Sequence, residues 1–213
     1  MTSRMYALSE WVLRAMLLNL LWLLGTLAGA VLLGFAPATL AAHHVARQYA
    51  RGTDGYVLRE YVATYRREFW RAQALLLPPV LLLLAATTSA LLLRGSALPG
   101  ADVVAAASAV VAGCLVLVLL YLPSLAVHYD VPTTRALSRA FLLAVANLPS
   151  TVLLVLVLAA TCYASARLPG LLPVISVGGW ILGSTALCLR FYAQNDDAVA
   201  ASHARRAHVG TAS

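Results

Sequence analysis

Charged side chains are scarce in this chain of 213 residues, and lysine is absent altogether. Charged residues make up 11% of the sequence and hydrophobic residues 62%, whereas soluble proteins have roughly 25% and 45–50%. So few charges cannot cover the apolar surface of a soluble fold, so the composition predicts a protein that faces lipid. All basic residues are arginine, and the net charge of +7 favours anionic lipid over nucleic acid as a partner.

Residue patterns that support catalysis or metal binding are also missing. Without lysine there is no phosphate-binding loop of the Walker type, and no G-x-S-x-G nucleophile motif occurs. Cys114, Cys162 and Cys188 lie in apolar runs without metal-ligand spacing. The adjacent His43 and His44 would point about 100° apart on a helix and cannot share a metal. We therefore expect no catalytic residue, no cofactor site and no metal site.

Five apolar runs are each long enough to cross a bilayer as an α-helix, which takes about 20 residues. They cover residues 11–35, 74–93, 103–127, 140–163 and 171–192. Strand-like alternation is absent, so the sequence predicts an all-α, polytopic membrane helical bundle with about five transmembrane helices. Residues 1–195 form this single domain, and residues 196–213 are expected to be a disordered cytoplasmic tail. The first run exceeds the 7–15 residues typical of a signal-peptide core, so we expect no cleavage.

Residues 57–71 are predicted to form a short amphipathic cytoplasmic helix. Its apolar positions recur at helical spacing and comprise Leu58, Val62, Tyr65 and Phe69. The basic and aromatic side chains of this segment are candidate contacts for an anionic inner leaflet or for a partner protein: Arg59, Arg66, Arg67, Trp70 and Arg71. A solvated linker helix without a specific contact is the alternative interpretation.

The boundaries of two other segments depend on proline. Residues 37–56 are expected to continue the first helix after a break at Pro37 and to end at the turn RGTDG. Pro149 is expected to break or kink the fourth run. One interpretation is a second amphipathic cytoplasmic helix over residues 133–146, followed by a span that begins near Pro149.

Arginine counts predict the orientation of the chain in the membrane. The N-terminal flank and the loops near Arg94 and Arg167 carry four arginines, whereas residues 37–71, the loop 128–139 and the tail carry eleven. The positive-inside rule places the second side in the cytoplasm. The prediction is an N-terminus outside and a C-terminus inside.

Small and polar residues within the runs indicate helix packing. Gly25 and Gly29 in the first run, and Gly179 and Gly183 in the last, form small-xxx-small pairs that allow close helix approach. Packing within one chain is favoured, and a homodimer is the alternative. Asn19 is expected to face another helix, because its amide needs a partner in hydrocarbon.

Four segments together resemble the YesL family of bacterial membrane proteins. They read NLLWLLGTLAG from Asn19, PATLAAHHVARQYARG from Pro37, YRREFWRAQ from Tyr65 and PTTRALSRAFLLAVANLPSTVLLVLV from Pro132. The resemblance covers most of the chain and implies a small multi-helix protein of the bacterial plasma membrane, with no assigned activity and no catalytic residues. Members of the family are often associated with carbohydrate ABC-transport systems, which implies an accessory role.

Two functions remain open from the sequence. The first is a non-catalytic accessory or regulatory protein that contacts membrane transporter subunits through its cytoplasmic surface. The second is a small transporter or channel for a neutral solute or lipid. Its path would be lined by Asn19, Thr87, Thr88, Ser89 and Asn147. No carboxylate lies deep in a run, which argues against ion-coupled transport, and an enzyme is the least supported class.

Overall fold

The computed structural model describes residues 2–53, 56–96, 98–128, 133–168, 170 and 172–189, and every regular element within these ranges is helical. The helices are α1 (Thr2–Ala28), α2 (Leu32–Ala50), α3 (Val57–Arg67), α4 (Phe69–Leu93), α5 (Ala101–His128), α6 (Thr133–Ala146), α7 (Leu148–Arg167) and α8 (Val174–Leu189). A π-helical turn, Leu172–Ser176, precedes α8 and overlaps its first residues. The predicted all-α, polytopic helical bundle is confirmed.

Within the described residues, four helical segments are long and apolar enough to cross a membrane, namely Leu8–Ala28, Phe69–Leu93, Ala101–His128 and Leu148–Arg167. The fifth predicted run corresponds to α8, which is apolar but shorter. Only 17–28% of the most apolar window in each long segment is buried within the protein. Most of their apolar surface therefore faces outward, as helices surrounded by lipid require.

The first predicted run, residues 11–35, is divided by a reversal of the chain. α1 ends at Ala28, and α2 runs back alongside it from Leu32. Gly29 and Gly34 approach so closely in this turn that a Cβ on either would overlap the backbone opposite. The turn also holds Val31 at a positive φ of 67°. Close backbone contact, rather than a polar loop, reverses the chain.

Pro37 lies inside α2 and does not break it, in contrast to the prediction. The missing N–H of Pro37 would have bonded to the carbonyl of Leu33, four residues earlier. That carbonyl instead accepts a hydrogen bond from Nε2 of Gln73 on α4. The proline therefore frees an acceptor that ties α2 to α4.

The fourth predicted run divides at Asn147, between α6 and α7. Residues 133–146 form a separate helix, α6, as one of the two interpretations expected. Pro149 lies in the first turn of α7, where a missing N–H costs little. Thr151 joins the two helices, since its hydroxyl donates to the carbonyl of Ala144 at 2.7 Å.

Asn19 connects α1 to the start of α8. It is fully buried, and its Oδ1 accepts hydrogen bonds from the backbone N–H groups of Val177 and Gly178, both at 3.0 Å. Gly178 also lies directly against the carbonyl of Ala15. The amide of Asn19 thus satisfies backbone donors at the beginning of a helix, which otherwise lack partners.

The predicted glycine pairs have different environments. Gly25 lies against the hydroxyl of Tyr61 on α3, and Gly29 forms part of the chain reversal. A Cβ on Gly179 would meet Trp11 at an ordinary 3.5 Å, and one on Gly183 would meet nothing within 4 Å. The close contact of α8 is therefore made by Gly178, one residue before the predicted pair.

We expect Gly178→Ala to destabilise the protein by about 1–3 kcal/mol, because the added methyl overlaps the α1 backbone. Gly183→Ala is the matched control, and we expect it to leave stability unchanged or slightly raised, since alanine favours a helix over glycine. The midpoint of thermal unfolding in a mild detergent measures both. Equal midpoints for the two variants would contradict this account of the α1–α8 contact.

Candidate functional site

The predicted helix over residues 57–71 divides at Glu68, because α3 ends at Arg67 and α4 begins at Phe69. Tyr61 and Thr64 are buried, whereas Leu58 and Val62 are 63% and 45% exposed. Tyr65 donates a hydrogen bond from its hydroxyl to the carbonyl of Gly25 at 3.0 Å, which holds α3 against α1. The predicted apolar stripe is therefore split, and its first two members face outward.

The predicted contact residues fall into two groups. Arg59 and Arg66 are exposed, and Trp70 is 80% exposed, so these three belong to the outer surface of α3 and the start of α4. Arg67 and Arg71 instead pair with the carboxylate of Glu68. Nε of Arg67 lies 3.1 Å from Oε1, and an Nη of Arg71 lies 3.0 Å from Oε2.

Arg67 and Arg71 also line a cavity of about 270 Å³, called here the basic cavity. α2, the end of α3, the start of α4 and the end of α5 form its walls. The lining residues are Leu40, His44, Arg47, Thr64, Arg67, Glu68, Arg71, Ala126, Val127 and His128. Three guanidinium groups and one carboxylate thus meet in one partly enclosed space.

The charges of the basic cavity follow from their surroundings. Burial raises the pKa of Glu68, but the hydrogen bonds from Arg71 and Arg67 outweigh burial and hold it below its usual value. Arginine stays protonated in proteins, so the three arginines and Glu68 give the cavity a net charge of about +2 at neutral pH.

Arg47 joins α2 to the end of α5. An Nη of Arg47 donates a hydrogen bond to the carbonyl of Val127, in the last turn of α5, where backbone acceptors lack helical partners. Its Nε is buried and has no hydrogen-bond partner among the described residues. The hydroxyl of Thr64, a residue only 3% exposed, is also buried without a hydrogen-bond partner among the described residues. Each such buried group costs about 1–3 kcal/mol.

A line of neutral polar groups extends from the basic cavity into the protein. Nδ1 of His43, one turn before Arg47, lies 2.9 Å from Oγ1 of Thr185 and 3.3 Å from Oγ of Ser124. His43 and Thr39 also line an inner, mainly apolar cavity of about 180 Å³. This line offers hydrogen bonds, and within the described residues no cluster of histidine, cysteine and carboxylate groups is suited to a metal ion.

Three of the five polar residues proposed to line a transport path form hydrogen bonds within the bundle. Asn19 is engaged at the α1–α8 contact. The hydroxyl of Ser89 accepts a hydrogen bond from that of Ser108 at 3.2 Å, between α4 and α5. The amide of Asn147 donates to the carbonyl of Leu143 at 3.2 Å, at the end of α6. Each of these three groups serves local structure.

The middle of α1 lies against the end of α2, and the first turns of α1 extend beyond this contact. The guanidinium of Arg14 stacks over the ring of Tyr49, 4.7 Å from its centroid. Leu189, at the end of α8, lines a narrow cavity together with Arg47 and Val127. Both ends of the described chain therefore lie at the same end of the bundle as the basic cavity.

The chain is similar to a family and to individual bacterial proteins that are described as uncharacterised. Residues 15–90 match the family described as "Protein of unknown function, DUF624". Uncharacterized protein YteU of Bacillus subtilis (strain 168) is 33% identical over 178 residues, which cover 82% of this chain and 79% of that protein. Uncharacterized protein YesV of the same organism is 30% identical over 173 residues, covering 81% and 83%.

A third relative matches over a shorter stretch. Uncharacterized protein YesL of Bacillus subtilis (strain 168) is 46% identical over 67 residues, which cover 31% of this chain and 32% of that protein. No solved structure is significantly similar to this chain. The stretch matched by the family description contains Arg47, Thr64, Arg67 and Arg71, so it includes the basic side of the cavity.

Proposed function

Since this chain belongs to the YesL-like DUF624 family of uncharacterised proteins, we propose a function from its own surface. It is a non-catalytic integral membrane protein that acts as an accessory or regulatory component of a membrane transport system. The resemblance to the YesL family supports carbohydrate ABC transporters as the class of partner.

The observation that carries this proposal is the outer surface of α3 and the start of α4. Arg59 and Arg66 are exposed beside the exposed apolar side chains of Leu58, Val62 and Trp70. Guanidinium groups next to apolar and indole side chains suit the boundary between an anionic leaflet and its acyl chains. The same combination is enriched at protein interfaces, where arginine and tryptophan contribute most of the binding energy.

The orientation proposed for the chain in the bacterial plasma membrane follows from the reversal between α1 and α2. Arg14 lies against Tyr49, which supports counting the N-terminal flank together with residues 47–71. Among the arginines of the described residues, only Arg94 and Arg167 then lie on the opposite side. This charge difference is larger than in the count from sequence alone, and it favours a cytoplasmic N-terminus as well as a cytoplasmic C-terminus.

Reporters fused to either end test this orientation. We expect green fluorescent protein to fluoresce, and alkaline phosphatase to be inactive, when fused before Met1 or after Ser213, because both ends should lie in the cytoplasm. An N-terminal alkaline phosphatase that is active would restore the orientation predicted from the sequence, with the N-terminus outside. An active reporter at both ends would contradict both orientations.

Quantitative co-purification from bacterial membranes in a mild detergent tests the accessory role. We expect subunits of a solute transporter to be enriched with the unchanged protein. Replacing both Arg59 and Arg66 by glutamine should reduce this enrichment several-fold, because two exposed charges of the contact surface are lost.

Arg135→Gln together with Arg139→Gln is the matched control. Both arginines are exposed on α6, so this variant loses the same charge at a different surface and should retain the partner. Absence of transporter subunits from the unchanged protein would refute the accessory role. Equal losses in the two double variants would show that net charge, and not the α3 surface, governs the association.

A further inference from the structure

We propose that the basic cavity is a binding site for a phosphate-bearing group. This site lies behind the α3 surface and is built from different side chains, so the proposal does not depend on the accessory role. The ligand is either the phosphate headgroup of a lipid or a free phosphorylated solute, since both present the same oxygen atoms to the cavity.

The arrangement of donors supports an anion with several oxygens. Arg47, Arg67 and Arg71 reach the cavity from α2, α3 and α4. The guanidinium group is a planar fork of N–H donors that matches phosphate and carboxylate oxygens. A carboxylate offers two oxygens to this set, whereas a phosphate group offers three or four to donors on separate helices. The number of converging donors therefore favours phosphate.

Unsatisfied donors supply the second argument. The hydroxyl of Thr64 and Nε of Arg47 are buried at the wall of the cavity without a partner among the described residues. Most buried polar groups in proteins do have a hydrogen-bond partner. Both side chains line the basic cavity, so a phosphate group that draws them towards it would accept hydrogen bonds from both and offset the cost of burying them.

Charge and size agree with this ligand. A phosphomonoester carries about −1.5 to −2 charges at neutral pH, which offsets the net charge of the cavity. The N-terminus of α4, whose first turn contains Arg71, adds the positive end of a helix dipole. A volume of about 270 Å³ lies just below the range of roughly 300–1,000 Å³ for ligand pockets and suits a headgroup better than an extended molecule.

Inorganic phosphate, added to the full-length protein in an uncharged detergent at constant ionic strength, is the first probe. We expect phosphate to raise the midpoint of thermal unfolding, with an increase that grows as its concentration rises above the dissociation constant. In the second arm, the protein is reconstituted in phosphatidylcholine with or without phosphatidic acid. Native mass spectrometry after extraction then counts the phosphatidic acid that is retained.

Three variants separate a specific site from a general charge effect. Arg67→Gln should weaken phosphate or phosphatidic acid binding about tenfold or more, because it removes a charge-assisted hydrogen bond. Thr64→Val should also weaken binding, yet leave the ligand-free protein as stable as before or more stable, since it removes a buried group without a partner. Arg139→Gln loses the same charge on the exposed surface of α6, outside the cavity, and binding should stay within about twofold.

Each result is decisive. Stabilisation by inorganic phosphate, lost in Arg67→Gln and kept in Arg139→Gln, supports the site and shows that phosphate alone suffices, as for a free solute. Retention of phosphatidic acid without an effect of inorganic phosphate supports the site and identifies a lipid headgroup. Equal weakening in Arg67→Gln and Arg139→Gln, or no response of the unchanged protein to either probe, would overturn the proposal.

Discussion

The backbone contact between Gly29 and Gly34 is the constraint on which the other features depend. It reverses the chain within an apolar stretch, so that α2 returns along α1. That return brings Arg47 to the end of α5 and Tyr49 to the guanidinium of Arg14. Without the reversal, the basic cavity would lack the wall that α2 supplies. A larger side chain at either glycine would push α1 and α2 apart at the turn, because no space remains for it.

Helix ends that coincide with a change from apolar to polar residues were predicted from the sequence. A helix end that lies within an apolar stretch was missed. The predicted runs 74–93 and 103–127 lie within α4 and α5, and the segment 133–146 is α6. The reversal after Ala28 was missed because Ala30 and Val31 are as apolar as the helices beside them, and hydropathy carries no signal of such a turn. The expected break at Pro37 was wrong because the carbonyl it leaves unpaired is satisfied by Gln73.

The site was less predictable than the fold, and for a physical reason. Helical periodicity identifies an apolar face but does not state whether protein or lipid covers it, so it did not show that Leu58 and Val62 are exposed while Tyr61 is buried. Arg67 and Arg71 were recognised from their local sequence. Arg47 and Thr64 were not, because they join those arginines only through the crossing of separate helices. One local signal for Arg47 was available in the sequence. Polar side chains that follow closely on an apolar stretch, as His43, His44 and Arg47 do, indicate a polar region at the end of a helix.

The hydrogen bonds from Val177 and Gly178 to Asn19 have a consequence for how the molecule is assembled. The two donors are 158 and 159 residues away along the chain. Asn19 is therefore synthesised with the first helix, and the N–H groups that bond to it are synthesised with the last. An amide in hydrocarbon is costly until it is paired. During biosynthesis, α1 must therefore stay without these hydrogen bonds until α8 has been made. The contact between α1 and α8 then forms late and requires nearly the entire polypeptide.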